Sequence, residues 1–120
     1  MAGRTILVAD DEVSVRAFLV TVLERNGYQV LAAADGSEAI AILGNEAIVV
    51  DAVFSDIDMP GATGLEVVEL AQAKRPGIGL ILASGTNLWT ADQIPGGVKL
   101  LQKPFTMDEI KNAIEAVLPS

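Results

Sequence analysis

Residues Val50–Gly61 read VDAVFSDIDMPG. A short run of apolar and small residues leads into Asp56 and Asp58, which flank Ile57, and the chain then meets Met59, Pro60 and Gly61. A run of this length and β-branched character reads as a buried strand, expected over Val50–Ser55. Carboxylates at the end of a buried strand are costly to desolvate, so Asp56 and Asp58 need a reason in whatever else meets them there.

Working outward, Thr5–Ala9 (TILVA) is another fully buried strand, followed by the acids Asp10, Asp11 and Glu12. Val15, Phe18, Leu19, Val22 and Leu23 then recur at helical spacing, with Gly27 placed as a C-terminal cap. Tyr28–Ala33 reads as the next strand, and Ser37 with EAIAIL as a helix ending at Gly44 and Asn45. Beyond the opening stretch, Gly64–Lys74 puts Leu65, Val68 and Ala71 on one helical face. RPG breaks that helix, Ile78–Ala83 forms a strand, and Val98–Leu101 forms a weaker one. Thr106 caps a last helix with Glu109 in the capping-box position, and Met107, Ile110, Ile114, Val117 and Leu118 make its apolar stripe. Between Ser84 and Val98, GTNLWTADQIPGG leaves room for at most about two helical turns. Strands that alternate with helices and are apolar throughout imply a parallel sheet covered on both faces, a doubly wound α/β domain.

Composition bounds the function. The 120 residues fit one domain, 1–120, with no internal boundary; 51% are hydrophobic and 20% charged, the balance of a globular chain. No apolar run approaches the roughly 18 residues of a membrane span, and the start lacks a signal-peptide pattern, so the expectation is a cytoplasmic protein with no membrane partner. There are no cysteines and no histidines, which removes thiolate chemistry, zinc-thiolate sites, a Ser-His-Asp triad and any phosphohistidine of its own. A net charge of −8 with scattered basic residues argues against a nucleic-acid partner.

In a parallel sheet the C-terminal strand ends share one edge, where open α/β sheets bind ligands. Asp10 and Asp11 follow the first strand, Asp56 the third, Ser84 the fourth and Lys103 the fifth; Asp35, after a strand expected at the sheet margin, is the outsider. Two like charges about 4 Å apart repel by roughly 4 kcal/mol at an effective dielectric near 20, so three carboxylates there must protonate or hold a cation. An all-oxygen set favours Mg2+ (or Mn2+) over zinc or copper, and calcium is disfavoured because no EF-hand pattern is present. A cation, a lysine and a hydroxyl around a carboxylate are the parts that stabilise a phosphoryl group, and the carboxylate itself can be the nucleophile. Taken singly, Asp11 reads as a helix N-cap, Ser84 as a turn residue and Lys103 as a surface lysine; their convergence on one edge is the argument.

ILVADDE, VFSDIDMPGATGLEV, ILASG and LQKPF, in this order and over essentially the whole chain, resemble the receiver domain of bacterial response regulators. The resemblance implies a flavodoxin-like sheet in the order 2-1-3-4-5, with helices on both faces and the fourth helix short or irregular here. It implies that Asp56 accepts a phosphoryl group from a sensor histidine kinase or a phosphotransfer protein, switching interaction with a downstream partner. Asp10, Asp11 and Asp56 would bind Mg2+ together with the backbone carbonyl of Asp58, whose side chain would face solvent over the site. Ser84 and Lys103 would contact the phosphoryl group, and the Lys103–Pro104 peptide is a candidate cis bond. Leu100 stands where many receivers carry an aromatic switch residue, so any conformational change is expected between Gly85 and Gly97, which includes Trp89. Asp58 and Thr86 are near enough to tune the phosphoryl lifetime. The short fourth crossover resembles receivers found alone or at the ends of hybrid kinases, and the expectation is that no DNA-binding region follows Pro119 and Ser120. Two other readings remain: a haloacid-dehalogenase-like phosphatase, suggested by the Asp-x-Asp pattern of Asp56 and Asp58, and a receiver-like scaffold that is never phosphorylated.

Overall fold

The computed structural model describes residues 3–85 and 89–118. The elements run β1 (Thr5–Ala9), α1 (Val13–Arg25), β2 (Gln29–Ala33), α2 (Gly36–Gly44), β3 (Ala52–Asp56), α3 (Gly64–Lys74), β4 (Gly79–Ser84), a 3-10 turn (Ala91–Gln93), β5 (Val98–Gln102) and α4 (Met107–Val117). All strand pairs are parallel and the sheet order is β2-β1-β3-β4-β5. The flavodoxin-like arrangement expected from the sequence is therefore the one observed.

Alternation along the strands divides the core in two. Ile6, Val8, Phe54, Ile81 and Ala83 turn toward Leu19, Val22 and Leu23 of α1 and Ile110 and Ile114 of α4. Leu7, Val53, Leu80 and Leu82 turn the other way, toward Leu43 of α2 and Val67, Val68 and Ala71 of α3. Successive β-carbons point to opposite faces, so strands buried on both sides must be apolar through their middle, as β1, β3 and β4 are between their polar ends.

Three differences from the sequence reading have physical causes. The apolar runs end at Ser55, Ala83 and Leu101, but backbone pairing continues one residue further, through Asp56↔Ala83 and Ser84↔Gln102. The polar residues at the strand ends are thus still held in the ladder. Phe18 and Met107, placed by periodicity on apolar stripes, are 40% and 56% exposed, because each lies at the margin of its helix's contact with the sheet. The fourth crossover contains only the 3-10 turn among its described residues, and Trp89 and Ile94 cover the sheet face where a longer helix would lie. No helix among the described residues is long and apolar enough to cross a membrane.

Candidate functional site

The C-terminal strand ends do converge. One carboxylate oxygen each from Asp10, Asp11 and Asp56 lies within 4.8 Å of the others. Asp10 is 1% exposed, Asp56 is 5% exposed and Asp11 faces solvent. Lys103 reaches in from beyond β5: its Nζ is 2.9 Å from Asp10 Oδ2, 3.5 Å from Asp56 Oδ2 and 3.4 Å from Glu12 Oε1. Ser84 is buried, and its carbonyl accepts the Lys103 amide at 2.8 Å, tying the end of β4 to the segment that carries the lysine. The Lys103–Pro104 peptide bond is cis.

Local chemistry holds each group. The Asp10 amide donates to Ala33 O at 3.2 Å, its Oδ1 accepts the Glu12 amide at 2.9 Å, and its carbonyl accepts from Arg16 Nη1 at 2.8 Å. The Ser55 hydroxyl donates to Asp56 O at 2.9 Å, and the Ile57 amide donates to Ala83 O at 3.0 Å. Asp58 is exposed between Ile57 and Met59, both buried, so its main chain is pinned on either side while its side chain is free to face water. Burial pushes the Asp56 carboxyl up to about 6, with Lys103 opposing the rise and Asp10 adding to it. Burial works against the Lys103 ammonium, but the Asp10 hydrogen bond and the charges of Asp10, Asp56 and Glu12 hold its pKa above the ordinary lysine value.

Glu12 and Arg16 were not singled out in the sequence. Glu12 is the last acid of the DDE run and Arg16 lies one helical turn on, a spacing that is visible but says nothing of partners elsewhere in the chain. Asp35 lies outside the carboxylate cluster, as expected, and caps α2 by accepting the Glu38 amide at 2.8 Å. Leu100 is half-buried and, like Trp89, packs against the apolar layer that includes Ile94. Thr86 lies outside the described residues. The Asp-x-Asp pair of the phosphatase reading is not assembled: the carboxylate cluster of the described residues comprises Asp10, Asp11 and Asp56, and Asp58 is not in it. An open cavity of about 580 Å³ adjoins Lys103, between Val15 and Phe18 of α1 and Pro104 and Phe105.

A five-stranded parallel sheet in this order, with an acid cluster and a lysine at the carboxyl edge, is the architecture of a receiver-type signalling domain. The family model of the response regulator receiver domain matches residues 6–115, and the chain belongs to that family. It is 30% identical to the sporulation initiation phosphotransferase F of Bacillus subtilis, over 99% of this chain and 97% of that one. A response regulator receiver protein from Sinorhizobium medicae superposes with a TM-score of 0.88 at 28% identity, covering 96% of this chain and 94% of its own. The response regulator protein TrrA of Thermotoga maritima, solved in complex with Mg2+-BeF, matches with a TM-score of 0.86 at 31% identity, covering 96% and 99%. The chain spans less than half the length of several further curated relatives. The class makes this a component of two-component signalling.

Proposed function

We propose that the chain, as one domain over 1–120, is the phosphoacceptor of a two-component phosphorelay, with Asp56 taking a phosphoryl group from a phosphohistidine on a sensor kinase or phosphotransfer protein. The observation that carries this reading is a carboxylate at the end of β3, 5% exposed, with an ammonium 3.5 Å away and two more carboxylates close enough to share one cation. An Asp56 oxygen attacks phosphorus in line; the O–P bond forms as the N–P bond breaks, and its electron pair leaves on the imidazole nitrogen. Lys103 stays anchored to Asp10 while it turns from Asp56 to a phosphoryl oxygen, and the Ser84 hydroxyl donates to another. Asp10, Asp11, Asp56 and the Asp58 carbonyl form an all-oxygen donor set that fits Mg2+ (or Mn2+), which when bound neutralises charge on the phosphoryl oxygens. The chain catalyses only its own phosphorylation and dephosphorylation.

The domain acts in the cytoplasm on a downstream protein, without nucleic acid or membrane; its net charge of −8 supports the first exclusion. Asp58, exposed beside the acceptor, tunes the phosphoryl lifetime. Intact mass after incubation with acetyl phosphate and Mg2+ tests the reading. One phosphoryl group should add to the wild-type chain, and none to Asp56→Asn or in the absence of the cation. Full labelling of Asp56→Asn would overturn the assignment, and a wild-type chain that neither labels nor binds Mg2+ would favour the scaffold reading.

A further inference from the structure

The connection from β2 into α2 touches both segments that would carry cation ligands. On one side Ala33 O accepts the Asp10 amide at 3.2 Å. On the other, a β-carbon built on Gly36 would lie 1.8 Å from Ala62 O, and one built on Gly61, where φ is +79°, would lie 2.6 Å from Ser37 Oγ. The start of α2 therefore rests on the loop that follows Asp56. That loop is closed by the Gly64 amide donating to Ile57 O at 2.9 Å, and Ile57, Met59 and Ala62 are all buried. The Asp58 main chain lies within this closed loop, between buried Ile57 and Met59. The connection itself is stiffened at its own ends: Asp35 Oδ1 accepts the Glu38 amide at 2.8 Å and Glu38 Oε1 accepts the Ala34 amide at 2.6 Å.

We propose that this turn is a brace that sets the spacing between the Asp10–Asp11 pair and the Asp58 carbonyl. Asp35, Gly36 and Glu38 are then positioning residues for the cation, although none offers it a ligand. The inference rests on the reading that these groups bind Mg2+. Mg2+ demands near-ideal octahedral geometry, so a ligand pair held at a slightly wrong spacing loses affinity. Partners of metal ligands that are not ligands themselves commonly carry tenfold effects or more.

Calorimetric titration of Mg2+ into the wild type, Asp35→Ala, Asp35→Ser and Asp51→Ala tests this. Asp51 is the control: its Oδ2 accepts the Thr5 amide at 2.7 Å at the opposite edge of the sheet, so its loss weakens the fold without touching the brace. Asp35→Ala should bind Mg2+ roughly tenfold more weakly. Asp35→Ser, which restores a cap, should recover most of the affinity, and Asp51→Ala should match the wild type. A merely structural role would lower the melting temperatures of Asp35→Ala and Asp51→Ala without separating their affinities. Wild-type affinity in folded Asp35→Ala would overturn the proposal. If Asp35→Ala does not fold, the wild-type chain decides: binding and brace are reciprocally coupled, so Mg2+ should slow hydrogen exchange at the Glu38 amide, and unchanged exchange there would overturn the proposal. A wild-type chain that binds no Mg2+ removes the underlying reading, and the brace with it.

Discussion

Asp56 is held in surroundings that disfavour its anion. Its carboxyl is raised by burial from an ordinary 3.8 to about 6, so the folded protein binds this proton more tightly than the unfolded chain does. The group therefore costs stability above about pH 6, and the cost fades as the pH falls through that value toward 4. Metal-free Asp56→Asn should be more stable than the wild type by about 1 kcal/mol at neutral pH, a figure discounted for water reaching the open site. Urea unfolding should show the difference vanishing near pH 4, where the wild-type carboxyl is protonated in the folded state. Lys103 carries every ion pair recorded among the described residues, and it sits among the carboxylates that would hold the cation. Lys103→Met should bind Mg2+ a few-fold more tightly, because a positive charge is removed beside the site, yet accept phosphoryl groups at least tenfold more slowly. Calorimetry and intact mass read the two effects separately. Asp10, Asp11, Asp56, Ser84 and Lys103 were legible because each ends or follows a strand. Glu12 was not, because its partner lies 91 residues away and only the folded sheet brings them together.

At the scale of elements, one cap was read, another was missed, and coverage was not readable. The Thr106–Glu109 capping box forms as expected, with both reciprocal hydrogen bonds present, because it depends only on residues three apart. Asp35 was read as an outsider to the acid cluster, but its capping of α2 went unread, although the Asp-x-x-Glu spacing was in view. The fourth crossover shows the opposite case: Pro95, Gly96 and Gly97 announced a short connection, but not that Trp89 and Ile94 would pack over the sheet in place of a helix. With Leu100 half-buried on the same apolar layer and no aromatic at that position to swing inward, phosphorylation should be felt where Trp89 packs. The expected outcome is a change in Trp89 fluorescence on phosphorylation that Asp56→Asn does not show. An unchanged spectrum from a fully labelled chain would remove this segment from the switch.

Across the whole molecule, the sheet divides two apolar layers, and Phe54 is central to one of them. It is fully buried and meets Phe105 edge-on at a centroid distance of 5.5 Å, so the core is joined directly to the residue two beyond Lys103. Phe54→Ala should lower the unfolding free energy by about 3–5 kcal/mol through lost burial and the cavity left behind, read from the denaturant midpoint. By itself, the sequence determined the alternation of strand and helix, the parallel sheet, and the set of polar residues that end its strands. These follow from periodicity, capping and the need to keep doubly covered strands apolar, all properties of neighbours along the chain. Only the tertiary structure decided which acids lie within 4.8 Å of one another, which carboxylates share Lys103, and that the start of α2 rests on the loop after Asp56. Those contacts join segments tens of residues apart, and their distances are set by how the two layers pack on the sheet.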